Sequence, residues 1–350
     1  MMTFENRIVQ EDLKGIISAS YLNLEKLRGK TVLITGVSGM LATYLAYTIY
    51  YLNVHENFQT KIIGTARNME KATAKFQNLS KEYFELIQHD VTEPLEYEGA
   101  IDYIIHAASN ASPKFISTDP VGIIKANTLG TMNLLELSRK KTIQNFLFLS
   151  TREIYGKSIK NSLTEQDYGG FDILSPRACY PESKRMAETL LESYAVQYKI
   201  PYTVARIAHS YGPGMEVNND GRIMSDLISN VVNSEDIILK SEGTAERAFC
   251  YLSDATTALL TILLNGDSGQ AYNVANEDEP IQIRDLAQKL VTLLPEKGLK
   301  VKFDIPKSQS TAYSTDGRTV MDMTKIEKLG WQRVVTLDSG LKKTIESFEQ

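Results

Sequence analysis

The chain is poor in the residues that build cross-linked or metal-bound scaffolds. It has 2 cysteines and 4 histidines in 350 residues. Cys179 and Cys250 cannot make a disulfide framework or a four-ligand zinc site. His55, His89, His106 and His209 lack metal-ligand spacing, so no metal is expected. A basic stripe is missing too: the 38 Lys and Arg residues are dispersed, and 43 Asp and Glu set a formal net charge of -5. That balance gives no support for nucleic acid or an anionic membrane as partner. Long hydrophobic runs are absent. The longest, MLATYLAYTIYYL from Met40 to Leu52, is too short and too rich in Tyr and Thr to span a bilayer. The N-terminal MMTFENRIVQED has no hydrophobic signal-peptide core, and a cytoplasmic location is expected.

What is present suits a globular chain large enough for a sizeable core: 43% of residues are hydrophobic and 23% charged. Residues 1–29 read as a helical extension, with apolar positions at Ile8, Leu13, Ile16, Ile17, Leu22, Leu24 and Leu27. Strand-like KTVLITG, TKIIGTA, YFELIQHDV, IDYIIHAAS, NFLFLS and PYTVARI then alternate with helix-like segments from Met40, from Asp119 and from Pro181. Such alternation predicts an α/β fold, a doubly wound parallel sheet with right-handed crossovers over residues 30–211. Beyond Gly212 the alternation loosens, and residues 212–350 read mainly as a smaller α/β substrate-binding domain. A ligand is expected in the cleft between the two.

The first strand runs into TGVSGMLA, which places Gly36, Gly39 and Ala42 at G-x-x-G-x-x-A spacing before a helix. Glycine permits the tight turn and lets backbone N–H groups approach a pyrophosphate at the helix N-terminus. With strand, helix and second strand all in place, the pattern predicts dinucleotide binding by Gly36, Ser38, Gly39, Met40 and Leu41. The second strand ends in Ala66 and Arg67 instead of the acid that holds a ribose 2′-hydroxyl. A guanidinium there suits a 2′-phosphate, or stacks on adenine, so NAD and NADP both remain open. Asp90 and Val91 follow the third strand where adenine is expected, and Ala107, Ala108 and Ser109 follow the fourth.

Tyr180 and Lys184 stand four apart in YPESK, with Pro181 suited to a first helical turn. An ammonium one turn away is expected to lower the phenol pKa toward the working range of a base. Thr151, in STREIYG at the end of the fifth strand, is placed to share the substrate's hydrogen bond.

Taken in order, TGVSGMLA, HAAS, Asn127 in IIKANTLGT, STREIYG, YPESK and RIAHSYGPGM resemble the extended short-chain dehydrogenase/reductase family. The likeness runs from about residue 30 to the end. It is nearest the UDP-glucuronate decarboxylase and dTDP-glucose 4,6-dehydratase branches, with NDGRIMSDLI, ERAFCYLSDA and KIEKLGW like the decarboxylase's substrate domain. The resemblance implies a Rossmann-type fold and a nucleotide-diphosphate-sugar substrate. It implies oxidation of a sugar hydroxyl to a transient ketone with a bound nicotinamide, then decarboxylation or epimerisation. Tyr180 would be the base, Lys184 would hold the nicotinamide ribose, Thr151 would bind the same hydroxyl, and Asn127 would line the cofactor. Arg222 and Arg247 match positions that contact the nucleotide diphosphate or the sugar. Relatives dimerise through the helices spanning about 120–140 and 181–198, and a homodimer is expected, with Ile123, Leu134, Leu190 and Tyr194 as compatible apolar residues.

Two departures bear on the reaction. Dehydratases of the family carry Asp-Glu after the Thr, and decarboxylases carry Ser-Glu; here Arg152 precedes Glu153. Arginine is no proton donor at ordinary pH, which speaks against 4,6-elimination by the usual route. Arg152 is expected to meet an anionic substrate group, with Glu153 retained as base or orienting group. His209 replaces an Asn that faces the sugar in relatives. Alternatives are an NADPH-dependent reductase of an activated keto-sugar or polyol, and a non-catalytic dinucleotide-binding module.

Overall fold

A computed structural model of the chain describes residues 2–158, 160–217, 220–305 and 318–349. Seven parallel strands form the main sheet. They include β1 (Thr31–Thr35), β2 (Lys61–Ala66), β3 (Phe84–Gln88), β4 (Tyr103–His106) and β5 (Asn145–Thr151). From one edge the order is Gln270–Val274, Tyr202–Ile207, β5, β4, β1, β2, β3. The chain runs outward from β1 through β2 to β3, then crosses to β4 on the other side. That reversal lies between β1 and β4, where Thr35 is in register with His106. A crevice at the carboxyl ends of these strands is where doubly wound sheets bind ligands. The sheet is buried on both faces: every residue of β5 is buried.

Helices cover both faces. On one lie α1 (Arg7–Ile17) and α2 (Met40–Glu56), with α3 (Met69–Phe76) following β2. The run from Ala42 to Asn53 in α2 is buried throughout, which explains the apolar stretch of the sequence as a core helix. No described helix is long and apolar enough to cross a membrane. After β4 come α4 (Pro113–Thr118) and α5 (Pro120–Arg139); α6 (Cys179–Tyr198) packs beside α5 on the opposite face. There Leu134, Leu135, Ala187 and Leu191 meet Phe146 and Phe148 of β5.

The later part carries α7 (Ile223–Val232), α8 (Leu252–Asn265) and the helices Ile283–Leu293 and Leu337–Glu346. Met224, Leu227, Ile228, Leu286, Leu290 and Leu341 form their shared core. Helix α8, buried from Leu252 to Leu264, packs on α2 and the sheet, and Gln270–Val274 returns to the sheet edge. The apolar residues named for dimerisation need correction. Ile123 and Leu134 are fully covered by their own subunit, and Leu190 and Tyr194 lean on the core between α5, α6 and the sheet. The exposed apolar side chains of these helices are Val121, Ile124, Leu129 and Met132 on α5, with Met186 and Val196 on α6.

The residues preceding β1 form α1 and a short helical turn, Leu24–Leu27. Asp12 of α1 is buried and accepts hydrogen bonds from the hydroxyls of Tyr44 at 3.0 Å and Tyr251 at 2.7 Å. Lys343 donates to its other oxygen at 2.6 Å. One carboxylate thereby ties together α1, α2, the start of α8 and the helix Leu337–Glu346. Asp12→Ala leaves Lys343 and two buried hydroxyls without their acceptor and should cost about 2–3 kcal/mol in urea-unfolding stability. An unchanged midpoint and slope would show that the brace is inert.

Candidate active site

The phosphate-binding turn follows directly from β1. Gly36 has φ +62°, and a Cβ there would lie 2.7 Å from the Ala108 Cα. Only glycine lets the first turn pass the segment after β4 so closely. Gly39 N–H donates back to Gly36 O at 2.9 Å and Gly39 caps α2, so the N–H groups of Met40 and Leu41 open the helix toward the cleft. Ala107, Ala108 and Ser109 form the facing wall, and the buried Ser109 hydroxyl has no hydrogen-bond partner. Asn127 of α5 is buried; its Nδ2 donates to Ser183 Oγ at 2.9 Å while its Oδ1 is unpartnered. Val91 closes against Gly130 of α5. A slot too tight for side chains, an open helix N-terminus and two orphaned polar atoms fit a dinucleotide.

At the adenosine end, Arg67 lies 3.6 Å from the Asp90 carboxylate. The Asp90 carboxyl is held below its usual range: burial opposes this, but hydrogen bonds from Thr92 and the charge of Arg67 prevail.

Thr151 ends β5, and its hydroxyl caps the short turn Arg152–Tyr155 by accepting from Glu153 N at 3.2 Å. Tyr180, 5% exposed, opens α6, with the Thr151 hydroxyl close enough to influence its phenol. The expected acid shift of this phenol is reversed. Burial and the Glu153 carboxylate push it up to about 12, against the Thr151 hydroxyl and the charges of Arg177 and Arg222. Lys184 does not provide the counter-charge, because its Nζ is buried, donates to Leu149 O at 2.7 Å and lies over the Phe148 ring. Burial brings the Lys184 amine down to about 7, with Glu188 opposing. Glu153 is paired with Arg177 at 2.6 Å, a contact the sequence reading missed although Arg177 sits three residues before Tyr180.

Beside this end of β5 gather the cations. Arg152 is half-buried, with its guanidinium lowered by burial and by Arg247, and Glu277 and Glu153 opposing. Its Nη1 lies 3.4 Å from His209 Nε2. His209 has φ +43° and an exposed side chain; crowding by the surrounding protein and then the charges of Arg152 and Arg247 lower its pKa, so the ring is neutral at neutral pH. Arg247 donates to Glu246 O at 2.8 Å. Arg318 completes the group, 3.3 Å from Glu246 and paired with Glu277, with its Nε unpartnered among the described residues. No sequence motif singled out Arg318; only the fold brings it here. Arg222 caps α7, pairs with Asp220 and acts on Tyr180 through space. The segment NDGRIMSDLI begins at Asn219, which lies outside the described residues.

Residues 32–275 match the model of the NAD dependent epimerase/dehydratase family. The chain belongs to that family, and its cofactor is NAD. It is 35% identical to UDP-glucuronic acid decarboxylase 1 of Xenopus tropicalis over 326 residues, covering 92% of this chain and 72% of that one. It is 34% identical to UDP-glucuronic acid decarboxylase 6 of Arabidopsis thaliana over 324 residues, 91% of this chain and 88% of the relative. Among solved structures, a UDP-glucose 4-epimerase of Thermotoga maritima with UDP-glucose superposes with TM-score 0.74 at 22% identity, covering 91% of this chain and 98% of that one. UDP-glucuronic acid 4-epimerase from Bacillus cereus in complex with NAD gives 0.73 at 20%, covering 91% and 96%. These two likenesses show the fold.

Removing Arg177 takes a positive charge from beside Tyr180 and frees Glu153, and both raise the phenol's pKa. Arg177→Ala should therefore move the acidic limb of the kcat/KM profile to higher pH. Tyr180→Phe should lower kcat about a hundredfold or more with the fold intact. A pH profile unmoved by Arg177→Ala would separate this pair from the base.

Proposed function

We propose that the chain acts on a UDP-activated sugar bearing a carboxylate, and converts it through a transient 4-ketone with net decarboxylation. The observation that carries this reading is the cluster of Arg152, Arg247 and Arg318 against the Thr151–Tyr180 end of β5. Guanidinium groups pair with carboxylate and phosphate through parallel hydrogen bonds. The relatives named as UDP-glucuronic acid decarboxylases support the substrate class.

Thr151 holds the sugar C4 hydroxyl and Tyr180 takes its proton. NAD, when bound, supplies the hydride acceptor and later the donor. Arg222, Arg247 and Arg318 hold the diphosphate, and Arg152 meets the carboxylate on C5. With a ketone at C4 that carboxylate is a β-keto acid. Its C–C bond breaks to release CO₂, the electron pair becomes an enolate, and C5 takes up a proton before C4 is reduced again. Lys184 orients the nicotinamide ribose, and Glu153, steered by Arg177, faces the sugar. Epimerisation at C4 is the second reading, favoured by Arg152 standing where decarboxylases carry Ser. A guanidinium that binds the carboxylate firmly stabilises the ground state from which CO₂ must leave.

The test is purified protein incubated with UDP-glucuronate and no added cofactor, followed by NMR of the nucleotide sugar. UDP-pentose is expected, and a 4-epimer with its carboxylate intact would select the second reading. Arg152→Ser should raise KM for the acidic sugar about tenfold or more. Unchanged affinity and product would reduce Arg152 to a solvated side chain. A strict need for stoichiometric NADPH would sink both readings.

We also propose a homodimer joined through the exposed apolar faces of α5 and α6, where Val121, Ile124, Leu129, Met132, Met186 and Val196 lie. Leu129→Glu on this open face should give a folded monomer by light scattering. A dimer that survives the substitution would place the interface elsewhere.

A further inference from the structure

Among the described lysines only Lys75 and Lys184 are buried, and Lys75 has no part in the sugar chemistry above. Asn68 caps α3 by accepting from Lys71 N at 2.9 Å, and the helix turns Ala72, Lys75 and Phe76 inward. A lysine thus fills a core-facing position. Its Nζ donates to Ser38 O at 2.7 Å and lies 3.5 Å from Thr43 Oγ1, itself a donor to Val37 O at 2.9 Å. Ser38 belongs to the phosphate turn, one residue before the exposed Gly39. The ammonium therefore sits behind the turn whose front faces the cleft.

No carboxylate pairs with it among the described residues. Lys71 and Glu216 act on it from a distance in opposite senses and pair with each other at 3.2 Å, while Tyr47 donates to the Lys75 carbonyl. Burial brings the amine down to about 8. A buried cation without a counter-charge is costly, and such costs gather at functional sites.

We propose that Lys75 is a positioning residue for the dinucleotide, holding the Ser38 carbonyl and placing a positive charge behind the turn that receives the pyrophosphate. This deepens the NAD site and rests on it. Lys75 acts through the turn and through space, where a low-dielectric interior leaves Coulomb attraction poorly screened. Diphosphate affinity is full while the amine is charged and declines as pH rises through about 8. Fold stability runs the other way. A lysine whose folded pKa is depressed loses its proton first in the folded state, so stability rises from about pH 8 toward the unfolded value. Replacing Lys75 by an apolar residue should therefore weaken phosphate binding without weakening the fold.

The experiment is calorimetric titration of the full chain, stripped of copurified dinucleotide, with ADP-ribose and with adenosine at about pH 7 and about pH 9. Lys75→Met should weaken ADP-ribose about tenfold at the lower pH, leave adenosine unchanged and not lower the thermal midpoint. Wild-type affinity for ADP-ribose should fall between the two pH values, and that fall should vanish in Lys75→Met. It should vanish too in Lys75→Gln, which keeps a donor for Ser38 but no charge. Equal ADP-ribose affinity in Lys75→Met, equal losses for both ligands, or a pH-dependence that persists without the amine would each overturn the proposal. Failure of wild-type protein to bind ADP-ribose would instead remove the dinucleotide site, and this role with it.

Discussion

The constraint on which the candidate site depends is the passage of Gly36 against Ala108, where a Cβ on Gly36 would lie 2.7 Å from the Ala108 Cα. These residues follow β1 and β4, the two strands between which the sheet reverses direction, and no side chain fits between them. Because the backbones nearly touch, the start of α2 points into the crevice and the strand ends on either side open toward the same space. The β5 end that carries Thr151 lies one strand further along, with His106 of β4 in register with Phe148 of β5. The glycine turn and the facing segment Ala107–Ser109 are both set by this seam. A side chain at Gly36 would part the two halves of the sheet before it touched any ligand.

Electrostatics at the β5 end oppose each other by design of the fold. The phenol of Tyr180 is shielded from water and faces Glu153, so by itself it holds its proton tightly. Four arginines, Arg152, Arg177, Arg247 and Arg318, stand around that carboxylate and its neighbours Glu246 and Glu277. A substrate bringing several negative charges enters a region where cations already crowd one another. Part of its binding free energy is the relief of that repulsion. His209, neutral between Arg152 and Arg247, spaces the cations without adding to their charge.

Much of the sheet and the placement of the candidate site residues was legible because it is written locally. Short β-branched runs marked β1 and β2, G-x-x-G-x-x-A marked the turn, and Tyr180 and Lys184 share a helix at fixed spacing. What escaped depends on side chains meeting across long sequence separations. Arg318 and Glu277 belong to no motif, and only tertiary packing sets them beside Arg152. Helix α8, buried from Leu252 to Leu264, was not singled out in the sequence either. The Tyr180 shift was misjudged for a related reason: spacing places Lys184 near the phenol, but not the Leu149 carbonyl that captures its ammonium. The dimer residues failed similarly, since periodicity finds an apolar stripe without saying which subunit covers it.

The Asp12 brace joins residues 331 positions apart, and Asn6 and Arg7 reach Ser347 and Glu346 nearby. During synthesis the first helix emerges long before its partners exist. Leu13 and Ile16 of that helix are covered by α2 and α8, but the Asp12 carboxylate must wait for Lys343. The sheet and the packing of α1 on α2 and α8 can form earlier, but the Asp12 cluster is complete only once the helix Leu337–Glu346 has been made. Vectorial folding of this chain is thus a clasp fastened last, and the interval before fastening is when a chaperone has most to hold.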